Sequence, residues 1–258
     1  MLLGLIQLTL FLIVGILLTC TYYALRHALQ QRQMEEQTRQ QLLTYVMAGL
    51  LIWLLLLAVL AYGGYFQNFE KIPPRLLLAL LPPMLLALIL TFSKSFATLL
   101  RLIPSSWLVY IQSFRIAMEL LLWLGLVAGI VPFQMTFQGF NYDIILGLSA
   151  IGAGFLFFGK GRQLRFEAFL WNISGIALLV NILFISIIST PSPFRVFMNE
   201  PANTMVAYFP FIWIPGFIVP FALAMHLFSI RQLQLKQSKR RTFRLRRKKV
   251  DEQELKDY

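Results

Sequence analysis

The chain has 258 residues, 58% of them hydrophobic and 13% charged, with 23 Lys and Arg against 11 Asp and Glu for a formal charge of +12. Soluble domains average roughly 45–50% apolar and about 25% charged residues, so an ordinary globular domain and a disordered chain are both excluded. One cysteine, Cys20, excludes a disulfide framework and multi-Cys zinc or iron–sulfur sites, and two histidines leave little for His-based metal chemistry.

A mean hydropathy of +0.70 instead points to a multi-pass membrane protein. A helix crossing the hydrocarbon core needs roughly 20 apolar residues. On that scale the chain divides into seven predicted spans, at about 2–25, 43–65, 76–93, 107–130, 144–159, 167–190 and 205–229. The expected fold is an all-α bundle of seven transmembrane helices (1–230) followed by a basic tail (231–258).

The first span reads as a retained helix rather than a signal peptide. Its N-terminal flank has no Lys or Arg, its apolar run exceeds an h-region, and no A-x-A site follows. Thr19 before Cys20 also makes a poor lipoprotein cleavage site. The connection from Arg26 to Gln41 has no Gly or Pro, so both flanking helices are expected to extend past the membrane surface.

The third span carries Pro82-Pro83, and Ser93 to Ser106 is expected to lie as an amphipathic segment along the interface. Pro104-Ser105-Ser106 then offers a break and an N-cap.

The fourth span holds Gln112, Arg115 and Glu119 at i, i+3 and i+7, on one helical face. A charge near the bilayer centre costs on the order of 3 kcal/mol on insertion scales, and intramembrane ionisable groups are functional candidates by default. The spacing lets Arg115 and Glu119 neutralise each other. The alternatives are a buried site for a proton, ion or polar ligand, and a structural ion pair locking this span against Glu167, Asn172 or Asn181 of the sixth. Asn172 and Asn181 are nine residues apart, on opposite faces, so they cannot form one site together.

The fifth span, with Ala150-x-x-x-Gly154 and Ser149-x-x-x-Ala153, is expected inside the bundle. Phe133, Phe137, Phe140 and Tyr142 before it, and Phe194, Phe197, Tyr208 and Phe209 before the seventh span, form an outer aromatic surface. That surface reads as an interfacial belt, a pocket lid or a docking face. Pro210, Pro215 and Pro220 predict a kinked seventh helix.

Placing the N-terminus outside puts 19 of the 23 basic residues on the inner side and leaves only Lys71, Arg75 and Arg195 outside, as the positive-inside rule requires. The expected location is the plasma (inner) membrane. Lys239, Arg240, Arg241, Arg244, Arg246, Arg247, Lys248 and Lys249 of the tail would meet anionic lipid head groups or a membrane or cytoplasmic protein, and nucleic acid is not the expected partner.

No catalytic constellation is visible, and no cofactor or metal is expected. The seventh span has no Schiff-base lysine, and Ser149 enters from the opposite side to His226. His27 and His226 read as ordinary residues near the inner surface. The expected function is a ligand-sensing, accessory or interaction subunit with candidate ligand or ion residues Gln112, Arg115, Glu119 and Asn172. The alternative is a small solute or ion-coupled transporter using Arg115 and Glu119.

Overall fold

A computed structural model describes residues 1–235 and shows an all-helical chain among them. The helices are α1 (Leu2–Gln31), α2 (Glu36–Tyr62), α3 (Leu76–Phe92), α4 (Lys94–Leu100), α5 (Ser105–Val127), α6 (Asp143–Phe158), α7 (Arg165–Ser189) and α8 (Ile214–Leu235). Six are long and apolar enough to cross a membrane, and α3 with α4 makes a seventh if that bent pair counts as one span.

The α1–α2 connection is a turn of a few residues, because the Gln- and Arg-rich sequence continues both helices beyond their apolar stretches, as expected. The paired prolines of α3 do not interrupt it. The chain instead turns by 80° at Ser93, whose Oγ accepts the Phe96 amide and starts α4. This helix lies within Ser93 to Ser106, with Ala97 and Leu100 buried and Lys94, Ser95 and Thr98 exposed. Ser105 begins α5 but does not cap it; its hydroxyl donates to Gln232 Oε1 of α8 at 2.5 Å. Gln232 Nε2 donates in turn to the carbonyls of Leu100 and Ile103. One buried amide thus fastens the α4–α5 corner to the last helix.

The last helix differs from expectation at both ends. It starts at Ile214 with a π-helical turn through Ile218, after a non-helical stretch, and runs on to Leu235. Pro220 has no N–H to give the carbonyl of Gly216, four residues earlier, and Trp53 Nε1 of α2 donates to that carbonyl at 2.8 Å. Trp213 Nε1 returns a bond to Leu54 O at 3.0 Å, so two indoles lock α2 to α8.

Gly147 and Gly154 bring one face of α6 against α5, but Ile145, Leu148, Ile151 and Phe155 on its other side are exposed, so the helix lies at the edge of the bundle rather than inside it as expected. A Cβ on Gly147 would stand 2.9 Å from the Ile116 amide nitrogen, and one on Gly154 would run into the Tyr110 ring. The largest apolar cluster joins Ile6, Leu10 and Leu17 of α1 to Leu121 of α5 and Ile218 of α8.

The segment between α5 and α6 departs most from the sequence expectation. Rather than lying on the surface, Val131, Gln134, Met135, Thr136 and Asn141 are buried. Gly147 of α6 lies level with Ile116 of α5, so α6 begins near the height of Glu119, eight residues short of Val127. At 1.5 Å per residue the connecting chain therefore descends about 12 Å into the bundle. The aromatic side chains Phe133, Phe140 and Tyr142 remain exposed, while the polar groups between them turn inward.

Candidate functional site: a charged cluster inside the helix bundle

The descending segment delivers Asn141 and Asp143 to the polar face of α5. Gln112, Arg115, Glu119, Asn141 and Asp143 are all buried. Arg115 Nη1 donates to Asp143 Oδ1 at 3.0 Å. Glu119 Oε1 accepts from Asn141 Nδ2 at 2.6 Å, and the same amide group donates to Met135 O at 3.1 Å. Asn141 Oδ1 accepts the Asp143 backbone N–H at 3.1 Å, closing a chain from guanidinium to carboxylate.

This corrects the expected direct pairing of Arg115 with Glu119. The arginine takes Asp143 and the glutamate takes Asn141. It also corrects the structural alternative, since neither charge is held by Glu167, Asn172 or Asn181 of α7. Asn181 Nδ2 donates to Phe140 O at 2.8 Å and pins the descending segment from the other side.

Asn172 belongs to an adjoining group. Its Nδ2 donates to Ala168 O and to Ser229 Oγ, and its Oδ1 is 2.9 Å from His226 Nδ1. His226 is fully buried, which corrects its reading as an ordinary interfacial residue. Gly175 makes room for it, because a Cβ there would collide with the imidazole. His27 instead packs its ring against Trp107 at 5.1 Å.

The two groups meet where α5, α6, α7 and α8 cross. Gln112 lies in a 3-10 turn within α5 and donates through Nε2 to Ala222 O, one turn before His226 on α8. Leu146 touches the Gly175 position beside His226, while neighbouring Gly147 lies against Arg115 Cβ. Arg115 is within electrostatic reach of Glu119 and His226.

Several hydrogen-bonding atoms here are uncommitted. Among the described residues, Gln112 Oε1, Arg115 Nε and Nη2, Glu119 Oε2 and His226 Nε2 are buried and make no hydrogen bond. A buried polar atom left so costs about 1–3 kcal/mol, and protein interiors rarely tolerate several together. The site therefore has donors and acceptors to offer a polar guest.

The same polar segment is braced further out. Gln134 Nε2 donates to Ser189 Oγ and its Oε1 accepts from Asn199, while Asn203 Nδ2 donates to Ser186 O and Oγ. Among the described residues no group of three or more His, Cys, Asp and Glu side chains has a metal-binding arrangement. The tail residues Lys239 to Lys249 expected to contact lipid or a partner lie outside the described residues.

Sequence reasoning missed Asn141, Asp143 and His226 as site members.

A family model described as a domain of unknown function, DUF8737, matches residues 72–234, which include every member of the cluster. No curated protein and no solved structure matches the chain. The match spans well over half of the sequence, and the chain belongs to the DUF8737 family.

Proposed function

We propose that this is a ligand-sensing or accessory membrane protein whose interior cluster, formed by Gln112, Arg115, Glu119 and His226, receives a small polar ligand carrying a protonated nitrogen. The observation that carries the reading is the set of buried, uncommitted donors and acceptors on these four side chains. Arg115 offers two N–H donors to an acceptor on the ligand. Glu119 Oε2 and Gln112 Oε1 offer acceptors to an ammonium. Asn172 acts indirectly, holding the His226 ring through Nδ1 while its Cε1–Nε2 edge lies against Gly175.

The charge count supports an orientation with the N-terminus outside and the basic tail, including Lys239, Arg240, Arg241, Arg244, Arg246, Arg247, Lys248 and Lys249, on the cytoplasmic side of the plasma membrane. There the tail attracts anionic lipid or docks a protein partner that carries the signal onward.

The test is a thermal-shift series on the purified full chain with simple amines, amino alcohols and amino acids. A ligand at about 100 times its Kd stabilises the folded state by about 2.7 kcal/mol. The expected result is a saturable rise in Tm for one chemical class in the wild type and none in Glu119→Gln. No stabilisation by any compound with a protonated nitrogen, or equal stabilisation of the variant, would refute the reading.

A second reading, an ion-coupled transporter, uses the same cluster. It is favoured by the π-helical turn of α8, a feature common at functional sites, at the start of a helix that lines the cluster. Proteoliposomes separate the two. Transport predicts ligand or proton flux that Glu119→Gln abolishes, and sensing predicts binding without flux.

A further inference from the structure

A cavity of about 490 Å³ lies at the loop end of the bundle, between α3 and α7, within the range of small-molecule sites. Leu76, Leu77 and Leu80 form one wall, and Ile182, Leu183 and Ile187 the other. Leu122, Met135 and Val219 line it deeper in the bundle. Its walls are almost wholly apolar, and water needs two to four polar partners to occupy a buried site. An acyl chain meets the lining without such a requirement.

One end of the cavity carries charge. Arg75, at the start of α3, lines it and stacks over the Tyr65 ring at 4.6 Å, with Nη1 donating to Tyr65 O at 3.0 Å. These contacts fix the guanidinium in place. Its Nε and Nη2 make no hydrogen bond, and it has no carboxylate partner among the described residues. A rigid cation above an apolar chamber matches an amphiphile with one anionic head.

We propose that this cavity binds a long-chain anionic amphiphile, with the acyl chain between α3 and α7 and its carboxylate or phosphate on Arg75. The site is separate from the polar cluster and does not rest on the ligand proposed there. Two sources share this chemistry, a free fatty acid and an anionic phospholipid of the bilayer.

The test uses the full chain in phosphatidylcholine nanodiscs containing a diazirine-bearing fatty acid or, in a parallel arm, a diazirine-bearing phosphatidylglycerol. Photolabelled residues are mapped by peptide mass spectrometry, and the arm that labels the cavity identifies the source. Labelling should concentrate on the α3 and α7 walls over the lipid-facing residues Ile145, Leu148 and Ile151 of α6. Leu77→Trp and Leu183→Trp, filling the cavity from opposite walls, should each lower it severalfold.

Arg75→Gln should weaken competition by the unlabelled anionic amphiphile roughly tenfold, the effect of losing one charge-assisted hydrogen bond, and leave competition by the neutral monoacylglycerol unchanged. Arg75→Lys should restore most of it. Glu119→Gln should leave the labelling as in the wild type, which keeps this result distinct from that of the polar cluster. Uniform labelling of every lipid-facing helix, or undiminished labelling in both tryptophan variants, would overturn the proposal.

Discussion

Arg115 and Asp143 are 28 residues apart in sequence, yet Nη1 of one is 3.0 Å from Oδ1 of the other inside the bundle. Breaking a buried ion pair by removing one partner costs about 3–5 kcal/mol, because the remaining charge stays buried without compensation. Asp143→Asn and Arg115→Leu should therefore each lower stability by that order. The double variant Arg115→Leu with Asp143→Asn should lose less than the sum. Thermal unfolding of the four proteins in one detergent gives the double-mutant cycle, and additive losses would contradict the pairing.

The Trp53 bond to Gly216 O supplies a donor that Pro220 cannot. Trp53→Phe keeps the ring and removes the N–H, leaving the Gly216 carbonyl short of a partner, for an expected loss of about 1–3 kcal/mol. Trp213→Phe should act in the same direction through Leu54 O. A comparison of Tm values against the wild type decides it.

Two glycines in different surroundings should respond in opposite ways. Gly175→Ala puts a methyl group into the His226 imidazole, which must leave Asn172, so stability should fall by roughly 1–3 kcal/mol. Gly15 of α1 has open space around its Cβ position, and Gly15→Ala should stabilise by about 0.5–1 kcal/mol through helix propensity. Parallel Tm measurements on the two alanine variants check both signs.

On the loop between α7 and α8, the Glu200 carboxylate accepts from Arg195 Nη2 at 2.9 Å and from the Ala202 amide at 2.8 Å. The Arg195 hydrogen bond, with help from the amide, holds its pKa below the ordinary value of 4.5. A depressed carboxylate pKa contributes stability above the ordinary value, lost as pH falls through the lower folded value. Hydrogen exchange of the peptide covering Asn199 to Asn203, corrected for intrinsic rate, should accelerate over that acidic window in the wild type. In Glu200→Gln the extra acceleration should be absent.

Much of the fold is legible in the sequence because hydrophobic length and charge placement are local properties. The six or seven apolar segments, the extended α1–α2 hairpin and the break that starts α4 follow from residues lying within one helix of each other. Gln112, Arg115 and Glu119 emerge for the same reason, as they share a face of α5. Their partners do not emerge, because Asp143 and Asn141 reach them only when residues 131–142 fold down between helices. Nothing local separates a polar loop in water from one drawn into a bundle. His226 is missed on similar grounds: a histidine near a helix end reads as interfacial until the helix is known to continue to Leu235.

The central claim is that Glu119 and its neighbours receive a guest with a protonated nitrogen. The most direct measurement is isothermal titration of the purified full chain with the stabilising compound found in the thermal-shift series, for wild type, Glu119→Gln and Gln112→Leu. The account predicts one saturable site per chain in the wild type, and affinity reduced at least tenfold in each variant although both remain folded. Equal affinity in all three proteins would contradict it.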